Sequence, residues 1–444
     1  MKYVSTRGAA PVLEFSDVLL EGLARDGGLY VPESVPKLGP AGAGPYDKLA
    51  WTTMIPYVGD FDIVELVGDA YATFDHPDVV PLVELGDAVW VQELFHGPTI
   101  AFKDVALQVV GRLMDAELAR RGERRTIVVA TSGDTGSAAI AACVGRATLD
   151  IVVLHPEGRV SDVQRRQMTT VDEPNVTNLA VEGTFDDCQD LVKALFADEP
   201  FRDEVRLGAM NSINWGRVLA QMPYYVDAAQ RLGPIDVVVP SGNFGNILAG
   251  WYAKQAGAAI EHLVIASNTN DILARWATRG DLVAEAVVPT LSPSMDIQVS
   301  SNHERLLFEL LDRDGARTAE LLTRFRELGS AEAPTSPDFL ASACDDEATL
   351  DEIRRRAGEQ GYTPDPHTAV GLRAARTLGL GVDRPVVCMA TAHPAKFPDA
   401  VERATGVRPS LPPKLGDLFE RPERYDVVAN DVGVVAAAVR GAVG

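Results

Sequence analysis

The stretch DVVVPSGNFGN, residues 236–246, sets three consecutive valines directly before a turn that carries two glycines. An apolar run of that length without polar alternation reads as a strand buried on both faces, the kind found inside parallel sheets. A glycine turn follows it, and a helix is expected beyond Asn246, so strand, tight turn and helix come in the order of a βαβ unit. The same order recurs through the chain. TIVVA (126–130) precedes TSGDTG (131–136) and an alanine-rich helix from Ser137. DIVVL (150–154) and VTNLAV (176–181) are further strands, each with a helical stretch behind it, and LVIAS (263–267) and PVVCMAT (385–391) continue the series. AVWVQEL (88–94) opens it, ahead of a helical pattern over 105–121. Repeated units of this kind imply an α/β fold of mainly parallel sheets wrapped by helices. Ligands in such folds bind beyond the carboxyl ends of the strands, where the turns lie.

Before residue 86 the rhythm is different. Pro and Gly punctuate the chain, as in YVPESVPKLGPAGAGPY (30–46), and helical patterns such as residues 15–25 are short. Residues 310–360 are charged and mainly helical, which reads as an insertion or outer layer. With 444 residues there is ample chain for two or three domains. A formal charge of −22 argues against nucleic acid and anionic membrane surfaces as partners. Cys143, Cys188, Cys344 and Cys388 are far apart and form no zinc-type spacing, so no metal is expected and a reducing compartment is the simpler view. The first residues lack the apolar core of a secretion signal, and no run of about twenty apolar residues occurs. The expected location is therefore the cytoplasm.

Four short segments carry the chemistry. In SGNFGN, Gly242 and Gly245 let backbone approach a ligand, and the helix that follows offers unpaired N–H groups at its positive end; the pair makes a phosphate cradle. TSGDTG offers three hydroxyls and further N–H donors suited to a carboxylate, although Ser132, Asp134 and Thr135 also serve as plain helix caps. TAHPAKF (391–397) supplies a hydroxyl, an imidazole and a lysine, and MNSINWGR (210–217) supplies amides, a hydroxyl and an arginine. One further residue stands out. The chain has eight lysines among 41 basic residues, yet Lys103 sits in FHGPTIAFKDVALQ (95–108), between Phe102 and an apolar helical run. A lysine there is paired, snorkelling or chemically employed. A lysine, a phosphate cradle, an anion loop and a hydroxyl, all at strand ends, make up the equipment for pyridoxal phosphate.

In combination these segments resemble the threonine synthase family, in the tryptophan-synthase-β-like group of pyridoxal-phosphate enzymes (fold type II), and especially its longer branch of bacteria and yeasts. RGAAPVLEFSDVLLEGLARDGGLYVP (7–32), FHGPTIAFKD, ATSGDTGSAA, NSINWGR, PSGNFGNILAG and TAHPAKF match in the expected order, from about residue 3 to about 405. The resemblance implies an α/β fold of two mainly parallel open sheets flanked by helices, with an N-terminal accessory domain (1–85), a first lobe (86–230) and a second lobe (231–444). It implies that Lys103 carries the cofactor, that Gly242, Asn243, Phe244, Gly245 and Asn246 cradle its phosphate, and that Thr391 faces the pyridine nitrogen. Thr131, Ser132, Gly133 and Thr135 are then expected at the substrate carboxylate. Asp134 stands near the ring edge, where many relatives have asparagine. Ser212, Asn214, Arg217 and Lys396 are the candidates for a second phosphate, that of the substrate. His303, in SSNHERLLF, stands where an aromatic residue is expected. The implied reaction turns O-phospho-L-homoserine and water into L-threonine and phosphate, in a monomer or homodimer. Rival readings are a related lyase, such as a phospho-lyase or a serine/threonine dehydratase, and a catalytically silent binding relative.

Overall fold

Residues 1–39 and 44–443 are described by the computed structural model; residues 40–43, inside the Pro/Gly-rich stretch, and Gly444 lie outside it. Two sheets organise the chain. The first has five parallel strands in the order Asp426–Val428, Val176–Val181, Leu149–Pro156, Arg125–Ala130, Leu207–Gly208. The second runs Phe339–Ala343, Ile260–Ser267, Ile235–Pro240, Val386–Ala390, Val89–Glu93, Leu82–Gly86; its first five strands are parallel and the last is antiparallel. Every residue of Leu149–Pro156, Ile235–Pro240 and Val386–Ala390 is buried, as expected of central strands covered by helices on both faces.

Three segments join elements that their position in the chain does not suggest. Val89–Glu93, on the first-lobe side of the boundary expected at residue 86, pairs in register with Val386–Ala390 and so belongs to the second sheet. In return, Asp426–Val428 pairs with Val176–Val181, and helix Val432–Ala442 packs on helix Phe185–Ala197, so the C-terminal tail completes the first lobe. Within the charged region 310–360, Phe339–Ala343 is a sheet edge strand rather than part of an outer helical layer. Sequence proximity cannot reveal such exchanges, because an apolar strand fits either sheet equally well.

The N-terminal segment forms a small antiparallel sheet, Leu13–Glu14, Lys2–Ser5, Tyr30–Pro32, and helices Phe15–Glu21, Tyr46–Val58 and Val64–Tyr71. Polar anchors tie it to the body. Tyr3 Oη donates to the Tyr57 carbonyl and accepts from Trp215 Nε1 (3.0 Å). Arg7 forms an ion pair with Glu304 (3.1 Å), and the buried Arg305 donates to the carbonyls of Tyr30 and Ile213. The segment thereby braces the wall containing residues 211–217.

Candidate active site

Between the two sheets, beyond the carboxyl ends of Arg125–Ala130, Ile235–Pro240 and Val386–Ala390, lies a cavity of about 620 Å³. Lys103, Thr131, Ser132, Asp134, Thr135, Ser212, Arg217, the run 242–246 and Thr391 all line it, so segments spread over nearly 300 residues meet at one place.

Lys103 is the first residue of helix Lys103–Arg121 and is buried, with only 8 % of its surface exposed. Its position is set from both sides. Phe102 N–H donates to the Thr391 carbonyl (2.8 Å) and His393 N–H to the Ile100 carbonyl (3.0 Å), which ties the segment before Lys103 to the end of Val386–Ala390. Ile100 takes a positive φ of 56° to make this join, a conformation costly for a β-branched residue and held by its surroundings. Asp104 accepts from both the N–H and the hydroxyl of Thr99 (2.7 Å each), and a side chain at Gly97 would collide with Asp104. The order of residues in FHGPTIAFKD thus reduces to a braced turn that delivers one amine. Burial pushes the Lys103 ammonium below its ordinary pKa. The charges of Lys396 and Arg217 add to that effect, and Asp134 opposes it. The positive end of the helix dipole acts in the same direction as burial.

Across the cavity, Thr131 Oγ1 accepts from the N–H groups of Gly133 and Gly136 (2.9 Å each), folding TSGDTG back on itself. Gly133 does not line the cavity. Its φ is 135°, and a Cβ there would meet the Gln164 side chain at 2.5 Å. Asp134 begins helix Asp134–Cys143. Its Oδ2 accepts from Lys103 Nζ (3.2 Å), and its Oδ1 accepts from Gln164 Nε2 (2.8 Å) and forms an ion pair with Lys396 Nζ (3.0 Å). Burial resists ionisation of this carboxyl, but the pull of Lys103, then Lys396, and the Gln164 hydrogen bond hold it far below the usual carboxylate range.

At the third wall, the carbonyl of Gly242 accepts from Ser300 Oγ (2.8 Å), and that of Asn243 from the backbone and side-chain amides of Asn302 (3.1 Å each). Phe244 has a φ of 63°, a left-handed turn fixed by ring packing against His303 (5.2 Å), Phe339 and Trp276. His303 behaves here as the aromatic residue expected at its position. Its ring lies edge-on to Trp276 at 4.2 Å, and burial pushes its pKa down to about 3, so it packs neutral. Helix Gly245–Ala256 starts at the turn and aims its unpaired first-turn N–H groups at the cavity. Tyr224 and Tyr225 both donate to Asn246 Oδ1, which fixes the amide so that Nδ2 is the free end; that buried Nδ2 has no partner among the described residues.

Two candidates stand elsewhere. Asn214 is fully buried: its Nδ2 donates to the carbonyls of Leu19 and Ala209, and its Oδ1 caps the N–H of Gly216. With its side chain used to start helix Trp215–Leu219 and anchor the N-terminal segment, it does not reach the cavity. Lys396 does not line the cavity either. Its Nζ is spent on Asp134 and the Thr99 carbonyl (3.0 Å). Both expectations for a phosphate contact are therefore corrected. Arg217 is different. It is 5 % exposed, its Nη1 has no partner, and no carboxylate pairs with it among the described residues.

The reading of the sequence missed Gln164 and His367. His367 lines the cavity, donates from Nδ1 to Asp365 (2.9 Å), and accepts from the Ser294 N–H through Nε2 (3.2 Å). Asp365 also receives the Thr368 hydroxyl, which accepts from the Thr391 N–H (3.3 Å). One buried carboxylate thus orients both Thr391 and the loop at Ser294. The sequence signal was available in DPHT (365–368), an N-cap followed by a helix-initiating proline.

Family models match the chain along its length: "Threonine synthase N terminus" over residues 2–71, "Pyridoxal-phosphate dependent enzyme" over 78–333, and "Threonine synthase, C-terminal" over 368–439. A threonine synthase of Pseudomonas aeruginosa is 49% identical, the alignment covering 99% of this chain and 98% of that one. The chain belongs to the threonine synthase family. Among solved structures, the pyridoxal-phosphate-bound threonine synthase of Brucella melitensis superposes with a TM-score of 0.96 at 47% identity, covering 100% of this chain and 99% of its own. The yeast threonine synthase superposes at 0.92 with 38% identity, covering 99% and 98%. Threonine synthases are pyridoxal-phosphate-dependent lyases of fold type II, and the cavity fits that cofactor on its own geometry. It offers a buried primary amine, an orphaned amide donor at Asn246, and a cradle at Gly242 where a Cβ would fall 2.4 Å from the Ser294 carbonyl oxygen.

That last distance carries a prediction. Gly242→Ala forces the backbone at Ser294 to move, and backbone yields less readily than a flexible side chain. Cofactor affinity, measured by fluorescence titration, is expected to fall about ten-fold or more, with a stability loss of about 1–3 kcal/mol. Unchanged affinity would show that the cradle does not depend on this close approach.

Proposed function

We propose that this chain converts O-phospho-L-homoserine and water to L-threonine and phosphate, working in the cytoplasm as a monomer or homodimer. The observation that carries the reading is the presence of two separate provisions for anions beside one buried amine: the 242–246 cradle with Asn246 Nδ2, and the unpaired Arg217. A cofactor phosphate and a substrate phosphate need two such places. Pyridoxal phosphate, when bound, supplies an electron sink for the charge developed at the substrate's Cα.

The rest is done by side chains. Lys103 Nζ would hold the cofactor and would be the group that takes the proton from the substrate's Cα; its depressed pKa favours the unprotonated form that this requires. Gly242, Asn243, Phe244, Gly245 and Asn246 hold the cofactor phosphate. Thr391 presents a hydroxyl, not a carboxylate, to the ring nitrogen, so it can accept or donate one hydrogen bond without stabilising a full positive charge there. Ser132 and Thr135, on the loop shaped by Thr131 and Gly133, hold the substrate carboxylate, with Asp134 at the ring edge. Arg217 and Ser212 hold the γ-phosphate until it leaves.

Incubation of the pyridoxal-phosphate-loaded protein with O-phospho-L-homoserine is expected to release threonine and phosphate in a one-to-one ratio. Appearance of 2-oxobutanoate and ammonia in place of threonine would assign the chain to the lyase reading, and no phosphate release would reject both.

A further inference from the structure

Lys396 has no surface exposed to solvent and does not line the cavity, yet its ammonium binds the carboxylate that faces the cofactor lysine. It sits in the short 3-10 turn Pro394–Lys396, immediately after the segment that joins residues 100–102. The two oxygens of Asp134 are divided between the lysines: Lys103 at Oδ2 (3.2 Å), and Lys396 at Oδ1 (3.0 Å) together with Gln164. The other contact of Lys396 Nζ is the Thr99 carbonyl. Among eight lysines in a chain that prefers arginine, this compact ammonium fills a place where a planar fork would need more room and more acceptors.

One carboxylate with two cations needs a reason, because each buried charge is costly unless paired. The reason follows from the proposed role of Lys103, on which this inference rests. That lysine must be neutral for part of every cycle. With Lys103 as its sole cation, Asp134, 4 % exposed, would lose its counter-charge each time and would protonate or swing away. We propose that Lys396 is a positioning residue: a water-excluded cation that keeps Asp134 fixed and ionised whether or not Lys103 carries its proton.

A second consequence is electrostatic. Lys396 lies across the carboxylate from Lys103 and partly cancels the attraction of Asp134, which favours the neutral amine. The other charged or titratable groups facing this cluster are Arg217, toward Lys103; the His367 imidazole, toward Asp134; and Asp104, toward Lys396. Arg217 opposes the ammonium form as Lys396 does, but it touches neither oxygen of Asp134 and so cannot hold that carboxylate.

The test is the pH dependence of cofactor capture by the full-length apoprotein. Free pyridoxal phosphate is mixed with the protein from pH 6 to pH 10 and the rate is followed by absorbance. Capture needs the Lys103 lone pair: a carbon–nitrogen double bond forms and the aldehyde oxygen leaves as water, so the ammonium form is inert. Titration of the free cofactor is common to all variants and cancels in the comparison. In Lys396→Met the midpoint is expected to move to higher pH by about one unit or more, from the loss of a like charge a few ångströms away. Capture near neutral pH is then about ten-fold slower. A folded Lys396→Met with the wild-type midpoint overturns the proposal. Borohydride reduction and peptide mapping of the wild type test the underlying reading separately: a label on another lysine rejects the role of Lys103 itself. If Lys396→Met does not fold, Asp134→Asn/Lys396→Met decides. Removing both charges should restore a folded chain if Lys396 serves Asp134, and a double variant as unfolded as the single overturns the proposal.

Discussion

Lys103→Ala is expected to lower threonine formation by at least about 10⁴-fold while the chain stays folded and melts close to wild type. Both halves of this expectation come from the same cluster. The loss is large because no other primary amine among the described residues stands at the buried end of the cavity: Lys396 is fully buried behind Asp134, and Lys193, which also lines the cavity, is an exposed residue paired with Asp190. In the proposed reading the lysine serves both as the attachment point and as the base at Cα, so one substitution removes two functions. Stability survives because Asp134 keeps Lys396 and Gln164 at Oδ1 when its partner at Oδ2 is gone. A buried carboxylate stripped of every cation would cost several kcal/mol; this one is not stripped. Helix Lys103–Arg121 also loses nothing at its start, because alanine is the best helix former. The measurements are circular dichroism with a thermal melt, the absorbance of bound cofactor, and product release from O-phospho-L-homoserine. Retained turnover above about one per cent of wild type would displace Lys103 from its assigned role.

Much of this was legible in the sequence, for reasons that differ by residue. The valine run at 237–239 and the strand at 126–130 declare themselves because a buried parallel strand has no polar alternation. Gly242 announces a close approach that only glycine permits, whereas a Cβ at Gly245 would come no closer than 3.3 Å, to the Asn302 side chain, and Lys103 is conspicuous because lysine is scarce here. What could not be read is pairing across the chain. Nothing in AVWVQEL states that it lies beside PVVCMAT, nor in residues 426–442 that they return to complete the first sheet; both depend on which apolar face remains uncovered. The site shows the same boundary. Asn214 and Arg217 look alike as polar residues at a helix entrance, yet one is consumed as a cap and the other is left unpaired. Lys396 reads as an anion ligand in TAHPAKF because its nearest partner, Asp134, lies more than 250 positions away. Residue type announced that each would bind something, while the partner was fixed only by the fold.

Arg217→Met is the variant with the next largest expected effect, and it should move stability and activity in opposite directions. Arg217 is a buried guanidinium with no carboxylate partner, and burial pushes its pKa down to about 10, still leaving it charged at neutral pH. Such a group costs free energy in the unliganded protein, and its retention points to an anion that arrives later. The 242–246 cradle already has helix N–H groups and the Asn246 amide for one phosphate. A substrate dianion that must be gripped and then released as the leaving group needs a fixed cation of its own. Losing a charged hydrogen bond to it costs about 1.5–3 kcal/mol, so kcat/KM should fall from about ten-fold to more than 100-fold. Methionine fills much of the vacated volume and brings no charge, so the substrate-free protein should gain stability, by roughly 1 kcal/mol or more. Cofactor affinity should remain near wild type. Steady-state kinetics, a thermal melt without substrate and a cofactor titration read the three quantities independently. A variant that keeps its kcat/KM but loses cofactor would move Arg217 to the cofactor's phosphate. One that loses stability as well as activity would make it a structural residue whose partner is the cavity wall.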